Sequence, residues 1–201
     1  MKVDIDSESR SRLPPVDRSR LSEQARRDYD DMVRLTAEGR ALAGVNGPFG
    51  IWIRIPTLGD CVAKTNRYLR TETGLGWMLT ELAILATARE MESQFEWTMH
   101  EPEAIKAGLT PDTIDIVKHR RDTAVLPEKE RAIVDIAREA IGKNKVSSQT
   151  YQRANQLFGE SVLLNLVALI GNYAMSAIAL AVFDQQLRPD QAPLLPRLTQ
   201  A

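Results

Sequence analysis

A single cysteine, Cys61, stands in the 201 residues, which excludes an intramolecular disulfide framework and any chemistry that needs two thiols of one chain. A lone thiol fits a reducing compartment, so a cytoplasmic location is expected. Charge of one sign is also lacking. The 26 basic and 27 acidic side chains nearly cancel and are interspersed, so no broad positive field exists for a phosphate backbone and nucleic acid is not an expected partner. Histidine is scarce: His100 and His119 lie nineteen residues apart without a paired metal-ligand spacing, and neither a metal site nor a cofactor is expected. A divalent ion held by His100 with Glu81 and Glu96 is the minor alternative. There is no glycine-rich phosphate loop, dinucleotide fingerprint or Ser-His-Asp pattern, and Met1 to Arg12 shows no apolar run of the kind a signal peptide carries.

Apolar residues are present at helical spacing, and this pattern predicts an all-α, single-domain helix bundle. Residues 1–20, with Pro14-Pro15, read as an N-terminal arm, residues 21–187 as the helical domain, and residues 188–201, with three prolines, as a C-terminal tail. Helices are expected near 21–43, 57–72, 77–90, 93–107, 111–120, 127–141, 147–158 and 160–184. The alternating segment Ile51-Trp52-Ile53-Arg54-Ile55 reads instead as a strand-like connector. One stretch, Ser161 to Phe183, carries no charge and is long enough to span a bilayer. It contains Asn165, Asn172 and Ser176, and its flanks, Glu160 and Asp184, lack a cluster of Lys or Arg. It is therefore expected to be a helix buried on most sides in the bundle or at a subunit interface, not in a membrane.

The chemistry concentrates between Glu81 and Gly108. Glu96 and His100 are four residues apart, which stacks a carboxylate and an imidazole on one helical face as a candidate acid–base pair. An ordinary surface pair has the same spacing. Ser93-Gln-Phe-Glu96 also matches a capping box, which would explain Ser93 and Glu96 by helix geometry alone. Glu81, nineteen residues before His100, could not share its face on one straight helix. His119, in Lys118-His119-Arg120-Arg121, reads as part of a solvated helix end.

A glutamate opening one helix, then a turn, then a short motif ending in histidine resembles the core of the carboxymuconolactone decarboxylase and alkyl hydroperoxidase D superfamily. In its redox branch the motif has a Cys-x-x-Cys pair before the histidine. Here the cysteine positions fall on Ser93 and Glu96, the histidine on His100 and the upstream glutamate on Glu81. Neither serine nor glutamate can attack a peroxide or resolve the product, which excludes cysteine-pair peroxide reduction. The resemblance is to the non-redox branch, and it implies the alkyl hydroperoxidase D-like fold and a homo-oligomer, commonly a trimer or hexamer.

The expected function is cofactor-free decarboxylation, or related proton transfer, on a small acidic substrate such as a lactone or keto acid. His100 is the candidate proton donor, with Glu96 and Glu81 to orient it or relay the proton. Arg54 is a candidate for the substrate carboxylate, and Trp52, Trp97 and Tyr173, with Asn172, are candidates to line the pocket. Isomerase or lactone hydrolase chemistry would use the same parts. The alternatives from other classes are a non-catalytic binding or assembly protein that retains the fold, or a peroxidase-related protein that has lost its cysteine pair.

Overall fold

A computed structural model describes residues 4–38 and 43–198, and every regular element among them is helical. A 3-10 turn, Arg18–Arg20, precedes α1, Glu23–Ala37. There follow α2, Pro48–Trp52; α3, Pro56–Thr71; α4, Trp77–Glu90; α5, Gln94–Lys106; α6, Pro111–Lys118; α7, Glu128–Ala137; and α8, Ser148–Val182. A π-helical turn, Arg138–Gly142, continues α7. Gly159 has non-helical backbone angles, φ 73° and ψ 166°, which break α8 into the two helices the sequence predicts. The first predicted helix stops at Ala37 rather than 43, and residues 39–42 lie outside the described residues.

The expected strand-like connector is not a strand: Ile51 and Trp52 end α2, and residues 53–55 turn into α3. Gly47 caps α2 and Pro48 occupies its first turn, where a missing N–H costs nothing. Gly50 approaches the Val45 carbonyl so closely that a Cβ there would overlap it. This tight entry, with the Ile53 N–H bonded to the Phe49 carbonyl at 3.0 Å, outweighs the alternating pattern of residues 51–55.

The chain divides into two compact units, with the divisions inside α3 and α8. The first unit takes Met1–Asn66 and Ile178–Gln191. Its N-terminal arm pairs with the chain after α8: the Arg12 N–H donates to the Phe183 carbonyl and the Gln186 N–H to the Arg10 carbonyl, each at 2.8 Å. A small apolar cluster of Leu21, Ala25 and Ile53, with Val16, Tyr29 and Phe49 against it, supports this unit.

The second unit takes Arg67–Ala177 and Ala192–Ala201, and α4 runs through its core. Every residue from Thr80 to Arg89 is buried, because α4 is covered by α5, α6 and α7. Each Leu or Ile sealed there contributes about 1.5–3 kcal/mol. Leu166 and Leu169 of α8 join the same core. The opposite face of α8 leaves Leu164, Val167, Met175 and Ile178 exposed. Within one chain the uncharged stretch from Ser161 thus buries one face; the expected burial on most sides, in the bundle or at a subunit interface, would need a second copy to cover the other. In the tail, Leu195 is buried and the fully buried Arg89 donates to the Pro196 carbonyl at 2.9 Å.

Candidate functional site

On one straight helix, Glu81 and His100 would be about 28 Å apart. The turn after α4 brings them into contact. Glu92 takes a left-handed conformation at φ 51°, and the Ser93 side chain caps α5 by accepting from the Glu96 N–H. α5 therefore returns alongside α4, and His100 Nδ1 meets Glu81 Oε2 at 2.7 Å. Only half of the anticipated capping box forms. The Ser93 N–H bonds to the Ala88 carbonyl at 2.8 Å, so the Glu96 side chain is released from capping and turns to His100, with 3.7 Å from its Oε2 to Nε2.

Two further side chains complete the group. Arg70, at the end of α3, donates to Glu81 Oε1 at 2.9 Å. Its approach depends on the turn between α3 and α4, where Gly74 and Gly76 both adopt φ +79°, a region costly to residues with a Cβ. Asn165 of α8 holds that turn by donating to the Thr73 carbonyl at 3.3 Å. The Tyr173 ring, also from α8, stands edge-on to His100 at a centroid distance of 5.2 Å.

The electrostatics of the two glutamates differ. Burial alone would raise the Glu81 pKa, but its bonds and charge contacts with His100 and Arg70 prevail and hold it below the ordinary carboxylate value. Glu81 is thus an acceptor, which makes His100 Nδ1 the donor and leaves Nε2 facing Glu96. Burial pushes the Glu96 carboxyl up, and the His100 and Arg70 charges do not offset it. Its Oε1 is buried with no hydrogen-bond partner among the described residues. Burial likewise drives the Tyr173 hydroxyl upward, keeping it neutral. The two carboxylates address opposite edges of the imidazole, so the three groups do not converge on one ion, and no metal-binding cluster occurs among the described residues. Chemically, the arrangement can hold a proton and move it along a fixed imidazole.

Residues 56–139 match the family model described as the Carboxymuconolactone decarboxylase family. This segment is a carboxymuconolactone decarboxylase family domain. Its fold is the all-helical, alkyl hydroperoxidase D-like one, and the single cysteine of the chain means that it carries no Cys-x-x-Cys pair. The chain matches no curated protein and no solved structure.

Arg70, Glu81, Glu96 and His100 all lie within the carboxymuconolactone decarboxylase family domain, and Tyr173 reaches His100 from α8, beyond its matched residues. Trp97 is fully buried in the core. Its indole N–H donates to Glu101, and Lys118 sits 5.7 Å from the ring centre, so its polar contacts are with residues outside the His100 group. Trp52 and Arg54 precede the matched residues and belong to the first compact unit. Arg54 donates from Nε to the Gly50 carbonyl at 3.0 Å and from a terminal nitrogen to the Pro14 carbonyl at 2.5 Å. The Trp52 indole nitrogen is buried without a partner among the described residues. Asn172 is buried on α8. His119 closes α6 with its Nε2 3.4 Å from Asp115, and Cys61 is exposed. Sequence reasoning missed Arg70, because no spacing rule joins the end of one helix to a glutamate eleven residues on, across a glycine turn.

Proposed function

We propose that this carboxymuconolactone decarboxylase family domain catalyses cofactor-free proton transfer beside a carbonyl, foremost the decarboxylation of a small lactone or keto acid. The observation that carries this reading is a buried Glu81–His100–Glu96 array, tied by hydrogen bonds at one end and under-bonded at the other. His100 is fixed through Nδ1 by an ionised glutamate, while Nε2 faces a carboxyl that burial favours in its protonated form. Loss of carbon dioxide next to a carbonyl leaves an enolate, which must be stabilised and then protonated on carbon. A carboxyl that burial drives toward its protonated form, beside a fixed imidazole, is suited to that step. Isomerisation or lactone opening would draw on the same groups.

The alternative of a fold retained only for binding or assembly would suit a solvated histidine, whereas the His100 side chain is 5% exposed. Burying that many polar groups around one imidazole costs stability, and such costly clusters concentrate at functional sites. The exposed apolar face of α8, with Leu164, Val167 and Met175, supports a homo-oligomer, trimeric or hexameric as the superfamily resemblance implies, and the absence of a Lys or Arg cluster at its flanks disfavours a bilayer as its partner. Light scattering tests this, and a monomer would remove it.

The functional test is carbon dioxide release from a panel of carboxylated lactones and β-keto acids by the wild type and His100→Gln. Release that falls by about a hundredfold or more in the variant supports the reading. Full activity of the variant, or no release by the wild type from any member of the panel, ends it as a decarboxylase.

A further inference from the structure

Arg70 touches the buried array but is only partly used by it. One terminal nitrogen donates to Glu81, and a guanidinium has five N–H donors. Among the described residues, no other hydrogen bond or ion pair engages Arg70, and neither of the two nitrogens that Glu81 leaves unbonded is sealed away from solvent. Its side chain is 30% exposed, against 0% for Glu81 and 5% for His100. The guanidinium therefore reaches from the surface down to the acid–base group. An arginine serving only to neutralise Glu81 gains most by a two-pronged bond to both carboxylate oxygens. Here Glu81 gives one oxygen to Arg70 and the other to His100.

The charges around Arg70 leave room for an anion. Glu81 shares its charge with Arg70 and His100. Glu96 is driven toward its neutral form by burial, as is the Tyr173 hydroxyl. Glu103, whose charge also acts on Arg70, is paired with Lys106 at 2.6 Å. No unpaired anion among these neighbours opposes a second carboxylate. Arg54, the arginine that sequence reasoning favoured for this work, spends its Nε and a terminal nitrogen on backbone carbonyls.

We infer that the exposed N–H groups of Arg70 bind the carboxylate of the substrate and present a carbonyl-bearing organic acid to His100 and Glu96 behind it. The binding step stands on the Arg70 geometry, and the chemistry after binding rests on the proton-transfer function proposed for the same site.

Levulinate, a keto acid that does not readily lose carbon dioxide, and its methyl ester separate binding from turnover. Each is titrated into the full chain while the His100 ring resonances are followed by NMR. Levulinate is expected to shift them, and the ester to bind at least about tenfold more weakly. Arg70→Gln abolishes this preference for the acid, and Arg70→Lys, which keeps the charge but loses the fork, retains part of it. If Arg70 only positions Glu81, acid and ester weaken together in Arg70→Gln and the wild type shows no preference between them. That result overturns the inference, as does a preference that survives Arg70→Gln or a levulinate titration that leaves His100 unmoved. The comparison of acid with ester in the wild type holds even if a variant fails to fold. Selective binding of levulinate without carbon dioxide release from any panel member retires the decarboxylase reading alone; release without acid selectivity retires the role of Arg70 alone.

Discussion

Two buried glutamates flank one imidazole, and they are opposites. Glu81, on the central helix, has a bond for each oxygen, to Arg70 and to His100. Glu96, on the returning helix, has one oxygen 3.7 Å from His100 and the other without a partner among the described residues. Both lose their water on folding. The first is repaid with partners and held ionised, while the second is left under-bonded and pushed toward neutrality. The difference gives the array a direction. An anchored carboxylate fixes the ring, and on the proposed reading the second carboxyl, near its other edge, is the group that exchanges a proton with it.

The largest effect is expected at the anchored side. Glu81→Gln removes a charge that two buried or half-buried partners share, and breaking such a pair costs about 3–5 kcal/mol. Urea denaturation at neutral pH measures it. The folded pKa of Glu81 lies below its unfolded value, so the carboxylate's contribution is present above the ordinary carboxylate range and is lost as pH falls through the lowered value. The gap between wild type and variant should close in that acidic window. A gap independent of pH would mean that Glu81 acts through packing alone.

Glu96→Gln sharpens the contrast with an opposite sign. The folded pKa of Glu96 lies above its unfolded value, so the protonated carboxyl's stabilisation is complete below the ordinary carboxylate range and is lost as pH rises through the raised value. The variant should therefore gain on the wild type as pH rises through that window, by about 1–3 kcal/mol, the scale of an uncompensated buried polar group. Stability curves that run parallel across pH would erase the distinction between the two glutamates. If the proton-transfer reading holds, turnover by Glu96→Gln falls while its stability rises, a separation that Glu81→Gln does not produce.

How far these features can be read from sequence depends on their physics. The Glu96–His100 relation is local, because four residues make one helical turn, and it stands in the structure as the spacing implies. Glu81 became a candidate only through the motif it shares with the superfamily, since its contact with His100, nineteen residues away, depends on the short turn between α4 and α5. The capping box was ambiguous because Ser93 and Glu96 satisfy two geometries at once, and tertiary packing chose a capping serine without a capping glutamate. The helix of residues 48–52 was masked by alternation among Ile51, Ile53 and Ile55, while the signals that decide it, Gly47-Pro48 and the close approach of Gly50, lie outside that pattern. Arg70 left no local trace. Its role is created by the fold, where α3 ends beside α4.

The smallest expected effect comes from Arg54, the arginine that contrasts with Arg70. Both side chains carry the same charge, but Arg54 ends on the carbonyls of Gly50 and Pro14, whereas Arg70 ends on a buried carboxylate with donors to spare. A hydrogen bond to a partly solvated carbonyl contributes about 1 kcal/mol, and burial already lowers the Arg54 pKa with no carboxylate to oppose it. Arg54→Ala should therefore lower the urea midpoint by an amount equivalent to about 1–2 kcal/mol, well short of the loss at Glu81. A drop in affinity for levulinate with an unchanged midpoint would reverse the assignment, returning the carboxylate to Arg54 and leaving Arg70 as the partner of Glu81.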